Sequence, residues 1–316
     1  MSVCLGLDTS NYTTSAAIWQ DGAIHQVKRL LPVKPGELGL RQSDAVFHHV
    51  RQLPDIVEEL RGLCDAPITA IAASDRPQQR EGSYMLCFLA GMGAARELAA
   101  VLHVPCYRFT HQQGHVAAAL FGSERTAWIR EPFLAFHVSG GTTDALLVRP
   151  DKEDILRCET VGRSRDLKAG QLIDRVGGLL GLPFPAGPAL EKLAFRAPGW
   201  GSAGRLPRPL EGADCHLSGV ENQCRTMKEK GAPDEEVALF CLRSVLAAVS
   251  GMTQALLRVY GNLPVVYAGG VMSNSLLRRE LEAAYNGTFA PPAYSADNAA
   301  GIALLCSLRE KGASRL

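Results

Sequence analysis

The chain has 316 residues, 47% of them hydrophobic and 21% charged, with a formal charge of +1 at pH 7. Two domains of roughly 120 to 180 residues, each with its own core, are expected from that length, and a mean hydropathy of +0.01 excludes a disordered chain and a membrane-embedded one. The near-neutral balance supplies no global polyanion-binding surface, so contact with nucleic acid has to rest on local basic clusters or on a partner.

In chain order, residues 2–8 read as a strand, 9–14 as a hydroxyl-rich turn and 15–19 as the returning strand, followed by the Asp21-Gly22 turn. Nothing in this opening resembles a basic segment with an apolar stretch, and no run approaches the roughly 20 uninterrupted apolar residues that span a bilayer. A cytoplasmic protein is expected, and nine scattered cysteines without a C-x-x-C pair agree with free thiols in a reducing compartment.

From 43 to 63, Val46, Val50, Leu53, Val57 and Leu60 keep a helical period, capped by Ser43 or Asp44, with Pro54 expected to kink the helix or start a new one. A small-residue-rich helix is expected over 83–102, and another from His111 to about Leu120, before a linker at 122–132. Ala90, Gly91, Gly93, Ala94 and Ala95 in the first of these permit close packing, inside the lobe or across an interface. Residues 133–138, 139–143 and 145–148 repeat the opening statement of strand, polar turn and strand. Such duplication suits a two-lobed phosphotransferase fold with one phosphate loop per lobe. A strand at 265–268 then runs into Gly269-Gly270-Val271 and a helix over 275–285, and the last helix spans 298–311. Between these, residues 197–214 are rich in Gly, Pro and Arg and read as an exposed excursion.

His111 and His115 stand at i and i+4, the spacing at which two imidazoles on one helix face can share a metal, although the same spacing also occurs as surface decoration. Gln112 occupies the position where a zinc peptidase carries its general-base glutamate, which disfavours an endopeptidase. In Val138-Ser139-Gly140-Gly141-Thr142-Thr143 the glycines allow close approach of backbone to an anion. Asp8 ends the first strand, where a carboxylate can position a cation or a water near phosphates, and Asp174 sits on a helical run where it can meet a sugar hydroxyl. Asp297 precedes the last helix and reads equally as an N-cap.

Taken in order, Gly6-Leu7-Asp8-Thr9-Ser10, His111 with His115, Val138-Ser139-Gly140-Gly141, Asp174 with the 179–188 segment, Ser218-Gly219, Gly269-Gly270-Val271 with Asn274, and Asp297-Asn298-Ala299-Ala300 resemble the TsaD/Gcp family over nearly the whole chain. The resemblance implies an α/β, two-lobed actin-like ATPase (ASKHA, ribonuclease H-like) fold with duplicated domains and a central cleft. One lobe would be residues 1–128 completed by 297–316, the other 129–296. It implies His111, His115 and Asp297 as ligands of Fe2+ or Zn2+ and Asp8 as a catalytic residue. His137, Val138, Ser139, Gly140, Gly141, Asp174, Gly187, Gly269, Gly270 and Asn274 would hold the nucleotide, threonylcarbamoyl-AMP or ATP or AMP. The implied reaction is threonylcarbamoyl transfer to N6 of the adenosine beside the anticodon of tRNA. Implied partners are tRNA, a smaller TsaB-like subunit and an ATPase, or a second copy of the chain.

The sequence departs from the family at several loops. Asp8 replaces a glutamate, Asn11-Tyr12-Thr13-Thr14 replaces an acidic stretch, and Thr142 stands where a histidine is usual. Residues 165–171 lose acidic groups, and 76–82 replace a glycine-rich turn with an arginine-bearing one. These changes leave open a related chain that serves as a regulatory or scaffold subunit, or that carbamoylates another acceptor. Basic clusters at Arg157, Arg163, Arg165 and Lys168, and at Arg196, Arg205 and Arg208, are candidate tRNA contacts or solvated faces.

Overall fold

The computed structural model describes residues 2–10, 12–32, 40–198, 212–295 and 299–312. The chain divides into two compact units, 1–131 with 149–158 and 293–316, and 132–148 with 159–292.

The first unit is built on β1 (Val3–Thr9), β2 (Thr13–Gln20), β3 (Ala23–Leu30), β4 (Ala70–Arg76) and β5 (Cys106–Thr110), with α1 (Gln42–Leu63) between β3 and β4, α2 (Phe88–Leu102) between β4 and β5, and α3 (His111–Gly122) after β5. The sheet order is β3-β2-β1-β4-β5, antiparallel within β1 to β3 and parallel from β1 through β4 to β5. All seven residues of β1 are buried, so it reads as a continuous apolar run rather than an alternation. Asp21 and Gly22 both take positive φ, +47° and +94°, which makes the two-residue turn that joins β2 to β3. Strand β3, absent from the sequence reading, is mostly unburied at the sheet edge and carries Lys28 and Arg29, a pattern suited to an edge strand and hard to tell from a loop.

Two helical expectations need correction. No new helix starts at Pro54: helix α1 is continuous from Gln42 to Leu63, with Arg41 rather than Ser43 or Asp44 at its N-cap, and Leu53, Ile56 and Leu60 hold it on the sheet. Helix α2 starts at Phe88 rather than 83, where the Thr9 hydroxyl donates to Cys87 O at 2.9 Å and accepts from Gly91 N at 3.0 Å. Gly91 and Ala95 of its small-residue set are buried inside the unit.

The second unit repeats the plan. Strands β6 (Phe133–Val138), β7 (Thr143–Asp151), β8 (Ile155–Arg163), β9 (Val265–Ala268) and β10 (Thr288–Phe289) lie in the order β10-β9-β6-β7-β8, the tip of the β7–β8 hairpin, 149–158, being counted with the first unit. Counted within each sheet, this is the same order as in the first unit, again with an antiparallel opening pair and parallel successors. Around it stand α4 (Ala169–Leu179), α5 (Gly187–Ala194), α6 (Ser218–Glu229), α7 (Asp234–Tyr260) and α8 (Ser275–Tyr285). Helix α7 is long and apolar enough to cross a bilayer, yet Val237 to Leu256 supply much of this unit's buried core. The short α9 (Pro292–Ser295) then leads to α10 (Ala300–Glu310), which belongs to the first unit. All nine cysteines are free thiols. Most of the 197–214 segment, with Arg205 and Arg208, lies outside the described residues, as do Asn11, Asp297 and Asn298.

Helices α3 and α10 cross at two glycines. A Cβ on Gly301 would come within 1.8 Å of Gly114 O, and one on Gly6 of β1 within 2.4 Å of Ala303 N. The backbone contact between α3 and α10 fixes the helix that carries both histidines.

Candidate functional site

Helix α3 begins at His111 because Thr110 and Gln113 form a capping box: Gln113 N donates to Thr110 Oγ1 at 3.2 Å and Thr110 N donates to Gln113 Oε1 at 2.7 Å. His111 therefore sits in the first turn with His115 one turn on, and their Nε2 atoms face one another at 2.8 Å. Behind His111, Nδ1 lies 2.6 Å from Oδ2 of Asp8, which is 1% exposed at the carboxyl-end region of β1. Asp8 Oδ1 accepts from Ser10 N at 3.1 Å and from Ser74 Oγ at 3.0 Å. Strands β1, β4 and β5 are parallel, so their carboxyl ends, with Asp8, Ser74 and the start of α3, meet on one edge of the sheet, where open α/β sheets bind ligands.

A metal implied by the family fits part of this arrangement. Asp8 supports His111 through Nδ1 and turns Nε2 toward the second imidazole, the carboxylate–histidine arrangement found behind metal-binding rings. Among the described residues no group of three His, Cys, Asp or Glu is arranged to hold a metal ion by itself, and Asp297 lies outside them.

In the second unit a cavity of about 320 Å³ is lined by Gly140, Asp174, Gly187, Gly270 and Asn274, with Gly170, Ile173 and Glu191 beside them. Five residues scattered over 135 positions thus share one wall. The turn after β6 is closed by Ser139 N donating to Thr142 O at 2.7 Å, and the start of α4 packs so tightly on it that a Cβ on Gly170 would lie 2.5 Å from Gly140 N. Around Gly140, Gly141 and Gly187 a Cβ would meet nothing within 4 Å, which leaves their backbone open to approach. Asp174 Oδ1 accepts from Ala186 N at 2.8 Å and so holds the 180–187 loop at the cavity.

The remaining nucleotide candidates have other positions. Asn274 uses Oδ1 to cap α8 through Leu276 N and Leu277 N at 3.0 and 3.1 Å. Val138 turns its side chain into the core, and His137 is half-buried on β6 opposite Asp144. Gly269 has φ +101° and a Cβ there would strike Val138 O at 2.3 Å, so its glycine serves the packing of the turn on β6.

Two further groups had no signal in the sequence. His49 of α1 is wholly buried beneath the opening turn, and its burial pushes the imidazole down to about 4 against the opposing pull of the Ser10 backbone and the Asp8 charge. Asp166 is desolvated, which alone would raise it, but the Ser218 hydroxyl and the Leu217, Leu167 and Ser218 amides outweigh this and hold the carboxyl well below its usual range.

Residues 36–304 match the family described as TsaD, tRNA N6-adenosine threonylcarbamoyltransferase. A protein of that name from Thermus thermophilus is 31% identical over 312 residues, covering 95% of this chain and 90% of the relative. One from Geotalea uraniireducens is 32% identical over 320 residues, covering 95% and 89%. Among solved structures, HypF superposes with a TM-score of 0.63 at 13% identity, covering 98% of this chain and 55% of HypF. Component A of the Acidaminococcus fermentans (R)-2-hydroxyglutaryl-CoA dehydratase gives 0.56 at 18%, covering 99% and 100%. These structural likenesses, with the duplicated sheets, make the fold that of the actin-like ATPases.

Proposed function

Because the chain belongs to the TsaD family of tRNA-modifying acyltransferases, we propose that it transfers the threonylcarbamoyl group of threonylcarbamoyl-AMP to N6 of the adenosine adjacent to the anticodon. The observation that carries this reading is the Asp8–His111–His115 arrangement at the carboxyl edge of the first sheet. The N6 amine attacks the carbamoyl carbon, the bond from that carbon to the phosphate oxygen breaks, AMP leaves, and the amine proton passes to solvent.

His111 and His115, with Asp297, would hold Fe2+ or Zn2+, which when bound supplies a Lewis acid for a substrate oxygen. Asp8 fixes the ring of His111 and its tautomer. In the second unit the open backbone at Gly140 and Gly141 suits the adenylate phosphate. Asp174 and the loop it holds suit the ribose, and Gly187, Gly270 and Asn274 the adenosine side of the cavity. His137, Val138, Ser139 and Gly269, on the strand and turns beside this cavity, would complete the nucleotide site. Partners fit the same reading. The exposed Phe47 and Val50 of α1 and Leu89 of α2 offer apolar contacts to a smaller TsaB-like subunit, with an ATPase partner beyond it.

Removing the gene for this chain from its host and analysing tRNA nucleosides tests the assignment. Loss of threonylcarbamoyladenosine, restored by the wild-type chain and not by His111→Ala, is expected. Unchanged nucleoside content would point instead to another acceptor or a scaffold role.

A further inference from the structure

The segment between β4 and α2, where the sequence leaves the family's glycine-rich pattern, forms one wall of a second cavity in the first unit. The cavity measures about 530 Å³ and its other wall is the tip of the β7–β8 hairpin. The two walls are pinned together. Gln79 Nε2 donates to Asp154 Oδ2 and Leu156 O, both at 3.1 Å, and its Oε1 accepts from Cys158 N at 2.8 Å. Gln113, two residues after His111, donates to Asp154 O at 3.1 Å and Leu156 O at 2.8 Å. At the centre of the tip Ile155 takes φ +67°, unfavourable for a β-branched residue, with Leu156 N donating to Asp154 O at 2.7 Å in a γ-turn. Such strain persists where the surroundings enforce it, and Arg157 follows two residues on in β8.

Arg76, Arg80 and Arg157 line this cavity. Arg76 is paired with Asp75 at 2.9 Å, whereas no hydrogen bond or ion pair engages the side chain of Arg80 or Arg157 among the described residues. Three carboxylates, Glu81, Asp151 and Asp154, stand against the three guanidiniums in the lining, and two of them have oxygens turned to neutral donors: Asp154 takes Gln79, and Asp151 Oδ1 accepts from Glu153 N and Asp154 N at 2.8 and 2.7 Å. With no surplus of positive charge, the site suits a single phosphate held by directed guanidinium bonds rather than a polyanion track. Beside the lining residue Ser83 stands Tyr84, an aromatic ring 63% exposed on the same loop. Of the other basic residues near Arg157 in sequence, Lys168 gives its ammonium to Ser164 O at 2.7 Å and Arg165 pairs with Asp214.

We propose that Arg80 and Arg157 grip one backbone phosphate of the RNA substrate while Tyr84 stacks on a neighbouring unstacked base. Paired guanidinium donors and an exposed ring on one loop are the elements by which proteins take single-stranded nucleotides. The inference rests on the tRNA-modifying reading above. It adds a nucleotide grip linked through Gln113 to the helix of His111 and His115.

The test is equilibrium binding of unmodified tRNA to the full chain over a range of salt concentrations. The variants are Arg80→Gln with Arg157→Gln, Tyr84→Ala, Tyr84→Phe and Arg157→Lys. Titrations with AMP and with inorganic phosphate run in parallel. The double arginine variant is expected to lower the slope of log affinity against log salt by about 1 to 2 and to leave AMP binding unchanged. Tyr84→Ala should weaken tRNA binding about 5- to 100-fold at unchanged slope, with Tyr84→Phe retaining it and Arg157→Lys retaining the slope. Wild-type affinity and slope in all variants would overturn the grip and leave the transferase reading intact. Loss of phosphate or AMP binding with tRNA binding intact would reassign the cavity to a small anion. A wild-type chain that binds no tRNA, alone or with its partner proteins, would overturn both readings.

Discussion

His49 Nδ1 lies 2.8 Å from Thr14 Oγ1, and the surrounding bonds determine which atom carries the proton. Gln52 Nε2 donates to Leu30 O at 3.2 Å, so Gln52 Oε1 is the atom that receives the Thr14 hydroxyl at 2.7 Å. With its proton given to Gln52, Thr14 accepts from Nδ1–H, and Nε2 of His49 is buried without a hydrogen-bond partner among the described residues.

A neutral buried imidazole makes the first unit acid-labile. The native group is pushed from 6.5 down to about 4, so between those values the unfolded chain binds the extra proton. Stability is therefore lost as pH falls through this window, by roughly 2 to 3 kcal/mol near its lower end. Urea denaturation at pH 7 and 4.5 should show this loss in the wild type. It should be largely absent in His49→Asn, which keeps a donor for Thr14 and does not titrate.

Asp166 extends the acid sensitivity to lower pH. Its carboxylate receives Leu217 N at 2.8 Å and Ser218 Oγ at 2.5 Å and so anchors the start of α6. Because its native carboxyl is held below the ordinary range, its contribution is complete above about pH 4 and is lost as pH falls further. Asp166→Ala should cost about 2 kcal/mol at pH 7 and less at pH 3, as read from denaturant midpoints.

Three donors converge on Asp8: His111 Nδ1, Ser10 N and Ser74 Oγ. Asparagine has one acceptor oxygen and cannot serve them all, so Asp8→Asn should release the ring of His111. Zinc or iron affinity, measured by competition with a chelating dye, is expected to fall about 10- to 100-fold while the fold persists.

The glycines separate packing from ligand access. Gly301→Ala drives a methyl into Gly114 O and should destabilise by about 3 kcal/mol or more. Gly140→Ala meets no protein atom within 4 Å, so its denaturation midpoint should match wild type. Its methyl stands at the lining of the second-unit cavity, and calorimetry should show AMP affinity reduced about tenfold or more.

Much of this site was legible in the sequence because its parts are local. The i,i+4 histidines and the glycine turns announce themselves within a few residues, and Thr110 with Gln113, three residues on, is an equally local capping signature. The contact of Asp8 with His111 was not legible, since it joins positions 103 apart and depends on parallel pairing of β1, β4 and β5. His49 lay hidden because Val46 and Val50 suggest an apolar stripe one position away from the buried face, which runs through Ala45, His49, Leu53, Ile56 and Leu60 and leaves Val50 exposed. Gln79 gave no warning because its partners sit on a hairpin tip some 75 to 79 residues away.

Single-turnover transfer from threonylcarbamoyl-AMP to unmodified tRNA, by the metal-loaded chain with its partner proteins, tests the assignment most directly. The wild type should form threonylcarbamoyladenosine, and His111→Ala should form it at least about 100-fold more slowly while still binding AMP. A wild-type chain that binds the adenylate and the tRNA yet forms no product would contradict the account.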